Sequence, residues 1–239
     1  MKCGVVTFPG SNCDDDLIYV LNEVFHYQAE KIWHKEQNLQ HYNLGDIIFI
    51  PGGFSYGDYL RCGAIARFSP IMDAIIDFAN KGGMVIGICN GFQILCEAGL
   101  LPGQLLVNDS QHFICRNIHL KAFSNESPMS YNLDLEKAYQ IPIAHADGRF
   151  YCDDATLDSL VLNKQIMFQY CDLQGNVNDD TNVNGSRLGI AGICNLGRNV
   201  CGMMPHPERA SESELGNTDG KDLFMSLFSW VKENQLLLA

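Results

Sequence analysis

Ten cysteines and seven histidines give this 239-residue chain many candidate nucleophiles and bases, and local context separates them. The sharpest feature is Val85-Ile86-Gly87-Ile88-Cys89-Asn90-Gly91-Phe92-Gln93-Ile94-Leu95. Here an apolar strand pattern runs into Gly-x-Cys-x-Gly and a helical pattern follows at once. This is the form of a nucleophile elbow, a sharp strand-to-helix turn that presents one side chain above the edge of a sheet. Small residues two before and two after the nucleophile let the crowded backbone segments approach. A thiol there faces the positive end of a helix dipole, and the unpaired N–H of Asn90 can receive an oxyanion. The tetrapeptide Gly-Ile-Cys-Asn recurs at Gly192–Asn195, but there the next glycine comes one residue later, at Gly197. A turn and another strand pattern follow instead of a helix, so Cys194 reads as a buried strand residue.

A cysteine nucleophile needs a base and a group to orient that base. His206 stands out in Met204-Pro205-His206-Pro207-Glu208-Arg209. The two prolines restrict their own φ and push the preceding residues toward extended backbone, where residues i and i+2 point the same way. Glu208 then lies beside the His206 ring and can fix its tautomer. A third segment, Ile50-Pro51-Gly52-Gly53-Phe54-Ser55-Tyr56-Gly57-Asp58, follows an uninterrupted apolar strand pattern. Two successive glycines can turn a backbone N–H inward as a second oxyanion donor. No Gly-x-x-x-x-Gly-Lys-Ser/Thr motif is present to make the segment a phosphate loop.

The elements that must position these residues alternate in the first half. Strand patterns at Cys3–Phe8, Ala29–Trp33, Asp46–Ile50 and Gly83–Ile88 are interleaved with helical ones. The first helix has Ser11 or Asn12 as its expected cap and Asp14, Asp15 and Asp16 in its first turn, and Ser69–Lys81 and Asn90–Ala98 supply two more. From Leu105 to Met204 short strands with turn signals predominate, and an amphipathic helix is predicted over Leu223–Glu233. The fold class is therefore α/β: an open, mostly parallel sheet with helices on both faces and added antiparallel strands in the second half. No repeat, linker or low-complexity tract interrupts residues 1–239, which are expected to form one domain.

Taken together and in this order, the blocks resemble the class I (triad) glutamine amidotransferases. With Phe8-Pro9-Gly10-Ser11-Asn12-Cys13-Asp14 added, they are similar to the branch of that family that supplies glutaminase subunits to phosphoribosylformylglycinamidine synthases in purine biosynthesis. The resemblance implies Cys89 as nucleophile, His206 as base and Glu208 as its orienting residue. It also implies the N–H groups of Gly53 and Asn90 as oxyanion hole, and Gly52, Gln93 and His145 near the glutamine. Ile143–Phe150 looks like the family's His-Gly-Glu-Gly-Arg loop, with Ala146 and Asp147 as departures. Implied partners are a synthetase subunit, which would carry ATP and magnesium, and a small accessory subunit; this chain is expected to hold no cofactor.

Composition limits the rest. Sixteen basic against 28 acidic residues give a net charge of −12, which disfavours nucleic acid and anionic membranes as partners. The cysteines include no Cys-x-x-Cys pair, so no metal site is expected. No export signal or membrane-length apolar run is apparent, and the cytoplasm is the expected compartment. Two other readings remain open at this point. One is a stand-alone peptidase or γ-glutamyl hydrolase on the same fold; the other is a non-catalytic redox or regulatory cysteine protein, against which the His206–Glu208 pair argues.

Overall fold

A computed structural model describes residues 1–238, with side chains to Asn234. The strands are β1 (Lys2–Thr7), β2 (Gln28–Trp33), β3 (Ile47–Ile50), β4 (Met84–Ile88), β5 (Gln104–Leu106), β6 (Ile114–Ala122), β7 (Tyr139–His145), β8 (Arg149–Tyr151), β9 (Ile166–Cys171), β10 (Ile190–Cys194) and β11 (Val200–Met203). The helices are α1 (Asp14–Tyr19), α2 (Pro70–Asn80), α3 (Asn90–Glu97), α4 (Asp154–Leu162) and α5 (Asp219–Leu238).

Nine strands form one sheet in the order β2-β1-β3-β4-β11-β10-β9-β6-β7. The pairings from β2 to β11 are parallel, and those from β11 to β7 are antiparallel. The central strands β3, β4 and β11 are buried throughout, as expected of strands covered on both faces. Side-chain alternation assigns those faces. Ile50 lies against the first turn of α3, whereas its neighbour Phe49 packs on Phe224 of α5, ring centroids 6.3 Å apart. Helices α3 and α5 therefore cover opposite faces, and the α/β reading holds.

Three local expectations change. Neither Ser11 nor Asn12 caps α1: the cap is Cys13, without a side-chain hydrogen bond. Ser11 Oγ instead accepts from the Phe8 N–H at 3.1 Å, closing the turn after β1. The stretch from Leu105 to Met204 also contains a helix, α4, whose start is marked by Asp153 accepting from the Thr156 N–H at 2.8 Å. Finally, α5 begins four residues before the predicted Leu223. Its first turn is fixed by contacts distant in sequence: Lys137 pairs with Asp219 and Asp222, and Gly220 passes under the Pro207 carbonyl.

Candidate active site

Topology explains why residues far apart in sequence meet. Strand β4 lies between β3 and β11 with parallel register, Ile50 opposite Gly87 and Met203 opposite Ile88. The segments leaving β3, β4 and β11 therefore emerge side by side at one edge, where ligands bind in open α/β sheets. The turn after β4 carries Cys89, the loop after β3 carries Gly52 and Gly53, and the segment after β11 carries His206. Strand β1, the neighbour of β3, adds Asn12 and Cys13 to the same edge.

The elbow is built as its sequence requires. Cys89 has φ 50° and ψ −106°, a left-handed conformation uncommon for a residue with a Cβ. Its N–H donates to the Met203 carbonyl at 2.7 Å, tying the turn to β11. A Cβ on Gly91 would stand 1.9 Å from the Ile50 carbonyl oxygen, and one on Gly87 would stand 2.6 Å from the Gly91 backbone. Both glycines are thus required by close approach. Asn90 is the first residue of α3, so its N–H belongs to the unpaired first turn of the helix.

His206 and Glu208 are 1% and 2% exposed, with Nδ1 and Oε1 2.6 Å apart. Burial alone would push the imidazole down, but Glu208, with Cys89 and Cys13 beside the ring, holds it well above its usual value. His206 Nε2 makes no hydrogen bond. It is the nitrogen available for exchanging a proton with a reacting group. Cys89, Cys13, Asn12, Gly53, Phe54, Phe113, Cys115, Ala144, His206 and Arg209 line a cavity of about 210 Å³, the right scale for one small substrate side chain. A buried thiol, an imidazole with one free nitrogen and an oriented carboxylate together can attack a carbonyl carbon and protonate its leaving group.

Not every expected residue reaches that cavity. Gly52 packs against its lining residues: a Cβ there would stand 2.6 Å from His206 Cε1, 3.2 Å from Cys13 Sγ and 3.3 Å from Cys89 Cβ, so only hydrogen fits among these side chains. Gln93 lies behind the elbow, its carboxamide occupied by Asn90 and by the Asp147 carbonyl. His145 is buried at the end of β7, where Nδ1 meets Asn108 Oδ1 at 3.1 Å, and Ala144 lines the cavity in its place. Burial and the charge of His206 push His145 down to about 4.

Cys13 and Arg209 are among the cavity residues that the sequence reasoning did not assign. Arg209 donates to Cys13 Sγ and to Asp16, each at 3.1 Å. The signal was available: Cys13 follows a parallel strand adjacent to β3, so its loop had to reach the same edge. Cys13, His206 and Glu208 also form a group whose ligand atoms lie within 4.8 Å of one another. Glu208 is already committed to His206 Nδ1, and a guanidinium adjoins the Cys13 sulfur, so the group serves the imidazole better than it would a cation.

A family model described as a CobB/CobQ-like glutamine amidotransferase domain matches residues 1–231. The chain belongs to this family. It is 52% identical over 227 residues to a protein of Koribacter versatilis named phosphoribosylformylglycinamidine synthase subunit PurQ, covering 95% of this chain and 97% of that one. It is 50% identical over 239 residues to the protein of the same name from Moorella thermoacetica, covering all of both. The solved structure of PurLQS from Thermotoga maritima contains a chain matching 96% of this one, with TM-score 0.83 and 40% identity. The fold alone is shared with a Thermoplasma acidophilum protein described as a putative GMP synthase subunit, at 13% identity and TM-score 0.59.

Proposed function

We propose that the chain is the glutaminase subunit of a phosphoribosylformylglycinamidine synthase, hydrolysing glutamine to glutamate and ammonia for a synthetase partner. The observation that carries this reading is the buried Cys89–His206–Glu208 constellation, in a chain half identical over its length to proteins named as that subunit. Cys89 passes its thiol proton to His206 Nε2 as its sulfur attacks the glutamine side-chain amide carbon, and the carbonyl oxygen becomes an oxyanion received by the N–H groups of Gly53 and Asn90. As the tetrahedral species collapses, His206 gives its Nε2 proton to the departing nitrogen, which leaves as ammonia. The remaining acyl thioester is cleaved by water, with His206 taking the water's proton and Cys89 leaving as the sulfur. Glu208 holds the imidazole in position through both steps.

Ammonia is to be delivered to the synthetase, which converts formylglycinamide ribonucleotide to its amidine and holds the ATP and magnesium. The Thermotoga neighbour's name supports a complex of this kind, with a third, small subunit. Residues 1–239 act as one domain, in the cytoplasm, where ten free thiols stay reduced. Among the described residues no helix is long and apolar enough to cross a membrane.

A glutaminase that ran alone would waste glutamine, so its activity is expected to wait for the partner. The control point is the loop 52–59, where Gly53 sits at φ 136° and a peptide flip would remove an oxyanion donor. Losing one such donor costs about 10²–10³-fold in rate. The test is kcat for ammonia release at saturating glutamine, with and without the synthetase and its nucleotide substrates. Strong stimulation is expected. Full activity of the isolated chain, unchanged by the partner, would favour the stand-alone hydrolase.

A further inference from the structure

The loop leaving β3 is strained, and a strained loop persists only if its surroundings hold it. Tyr56, Asp58 and Leu60 all have φ between 53° and 72°, the left-handed region that side chains avoid, and Gly57 lies there too. Backbone bonds tie its first part to the turn after β1, from Phe54 N–H to Gly10 O at 3.1 Å and from Tyr56 N–H to Pro9 O at 2.6 Å. The bonds that reach across to the nucleophile come from one side chain. Asn90 Oδ1 accepts from the Ser55 N–H at 3.1 Å, two residues after Gly53. Asn90 Nδ2 donates to Asp58 Oδ1 at 3.3 Å and to Gln93 Oε1 at 2.8 Å. Gln93 Nε2 in turn donates to the Asp147 carbonyl at 2.6 Å. The carboxamide is 2% exposed with the rest of Asn90, so water does not substitute for these partners.

We propose that the Asn90 side chain is a positioning residue, a brace that locks the loop carrying Gly53 to the elbow carrying Cys89. The inference rests on the oxyanion-hole reading above and deepens it. The two oxyanion donors come from different segments, after β3 and after β4, and their separation must match one oxygen atom. Asn90 belongs to one segment through its backbone and grips the other through its side chain, so a single residue sets that separation. The donor–acceptor asymmetry of a carboxamide is what the site requires: an acceptor toward the Ser55 N–H, and donors toward a carboxylate and an amide oxygen. Aspartate keeps the first and sets two anionic groups against each other in place of the second.

The test separates the brace from the oxyanion hole and from simple folding. Glutamate γ-semialdehyde adds to a thiol as a hemithioacetal whose oxygen occupies the oxyanion position, so its affinity reads the hole directly. With the synthetase partner present, wild type is expected to bind the aldehyde far more tightly than glutamine. In Asn90→Ala, kcat for glutamine hydrolysis and aldehyde affinity are each expected to fall by about 10²–10³-fold, with KM within about threefold. Alkylation of Cys89 by iodoacetamide, which needs no oxyanion hole, is expected to stay near the wild-type rate. Asp58→Ala is expected to show a smaller loss, largely recovered in Asp58→Asn, which still offers Oδ1 to Asn90. Wild-type kcat and aldehyde affinity in Asn90→Ala would overturn the brace and leave the hole standing. Alkylation falling in step with kcat would overturn it too, because Asn90 would then serve the nucleophile or the fold. If wild type binds the aldehyde no more tightly than glutamine, the oxyanion-hole reading fails and the brace fails with it.

Discussion

The same four residues, Gly-Ile-Cys-Asn, occur at 87–90 and at 192–195, and they end in opposite fates. Cys89 directly follows the buried strand β4, and Cys194 is the last residue of the buried strand β10. Strand β4, however, runs parallel to its neighbours, whereas β10 runs antiparallel to β11, so Cys194 lies at the far edge of the sheet from Cys89. At Cys89, itself left-handed, the chain turns directly into α3; after Cys194 it makes a turn and returns as β11. Cys89 borders a cavity with His206. Cys194 is 0% exposed, its N–H and sulfur face the Gln165 carbonyl, and burial raises its pKa despite the nearby Arg198. The glycines also serve different needs. Gly87 is required by the backbone of α3, whereas Gly192 sits at a register shift against β9 and close against Met203 of β11. The tetrapeptide carries no chemistry of its own; strand direction and the element that follows decide it.

The largest expected contrast is therefore between the two thiols. Cys89→Ala should reduce ammonia release by about 10⁶-fold, as loss of a covalent nucleophile does. Cys194→Ala should leave kcat unchanged and cost about 1 kcal/mol of stability. A glutamine-analogue electrophile, with labelled peptides read by mass spectrometry, checks the same point. Labelling of Cys194 with Cys89 untouched would reverse the assignment.

The next contrast concerns what stands beside each thiol. Glu208→Gln should lower kcat by up to ~10⁴-fold, the loss seen when a related triad loses its orienting carboxylate. It should also lower the raised pKa of His206, moving the alkaline limb of the pH–rate profile to lower pH. Because the folded value is raised, the pair's contribution to stability is fully present below the unfolded imidazole value and is lost as pH rises through the folded one. The stability gap between wild type and Glu208→Gln should accordingly narrow at alkaline pH, measured by denaturant unfolding. A gap that widens with pH would mean His206 is not held protonated by Glu208.

A smaller effect distinguishes the following glycines. A methyl at Gly91 meets the Ile50 carbonyl at 1.9 Å and must push α3 away, so Gly91→Ala should cost about 10²-fold in kcat through misplacement of Cys89. Gly197 has only the end of the Asn199 side chain at 2.8 Å, and Gly197→Ala should leave kcat unaltered. Equal effects of the two substitutions would remove the steric account of the elbow.

What was legible in the sequence follows the same division. Cys89, His206 and Glu208 could be placed because each lies within a few residues of a strand end, and parallel topology brings such ends together. Gly52 could be placed for the same reason. Gln93 and His145 came only from resemblance, and the structure buries both outside the cavity; their partners, the Asp147 carbonyl and Asn108, are 54 and 37 residues away. The early start of α5 was hidden likewise, since Lys137 and the Pro207 carbonyl hold its first turn. Residues in the segments 126–135 and 172–184 make hydrogen bonds to distant parts of the chain. Ser226 of α5 grips Pro128 and Asn132, and Asn184 donates to the Gly148 carbonyl beneath the His145 loop.

The smallest expected effect isolates why Cys194 is expected to be inert. Arg198 donates to its sulfur at 3.0 Å, which by itself would favour a reactive thiol. The same guanidinium also donates to the Asn163 and Lys164 carbonyls, at 2.5 and 2.7 Å, just past the last turn of α4. Its main task is thus to satisfy carbonyls at a helix C-terminus, where a cation also suits the dipole. Arg198→Ala should lower stability by about 1–2 kcal/mol, since it leaves those carbonyls without that partner. It should leave glutamine hydrolysis untouched, because β10 ends at the opposite edge from the cavity. Cys194 should remain unlabelled by iodoacetamide in the folded protein, as removing the cation takes away a lowering influence and leaves burial, the largest cause, pushing the thiol up. Rapid labelling of Cys194 in the folded variant would show that Arg198 shields it from reagent, and inertness would then rest on a side chain instead of on its place in the sheet.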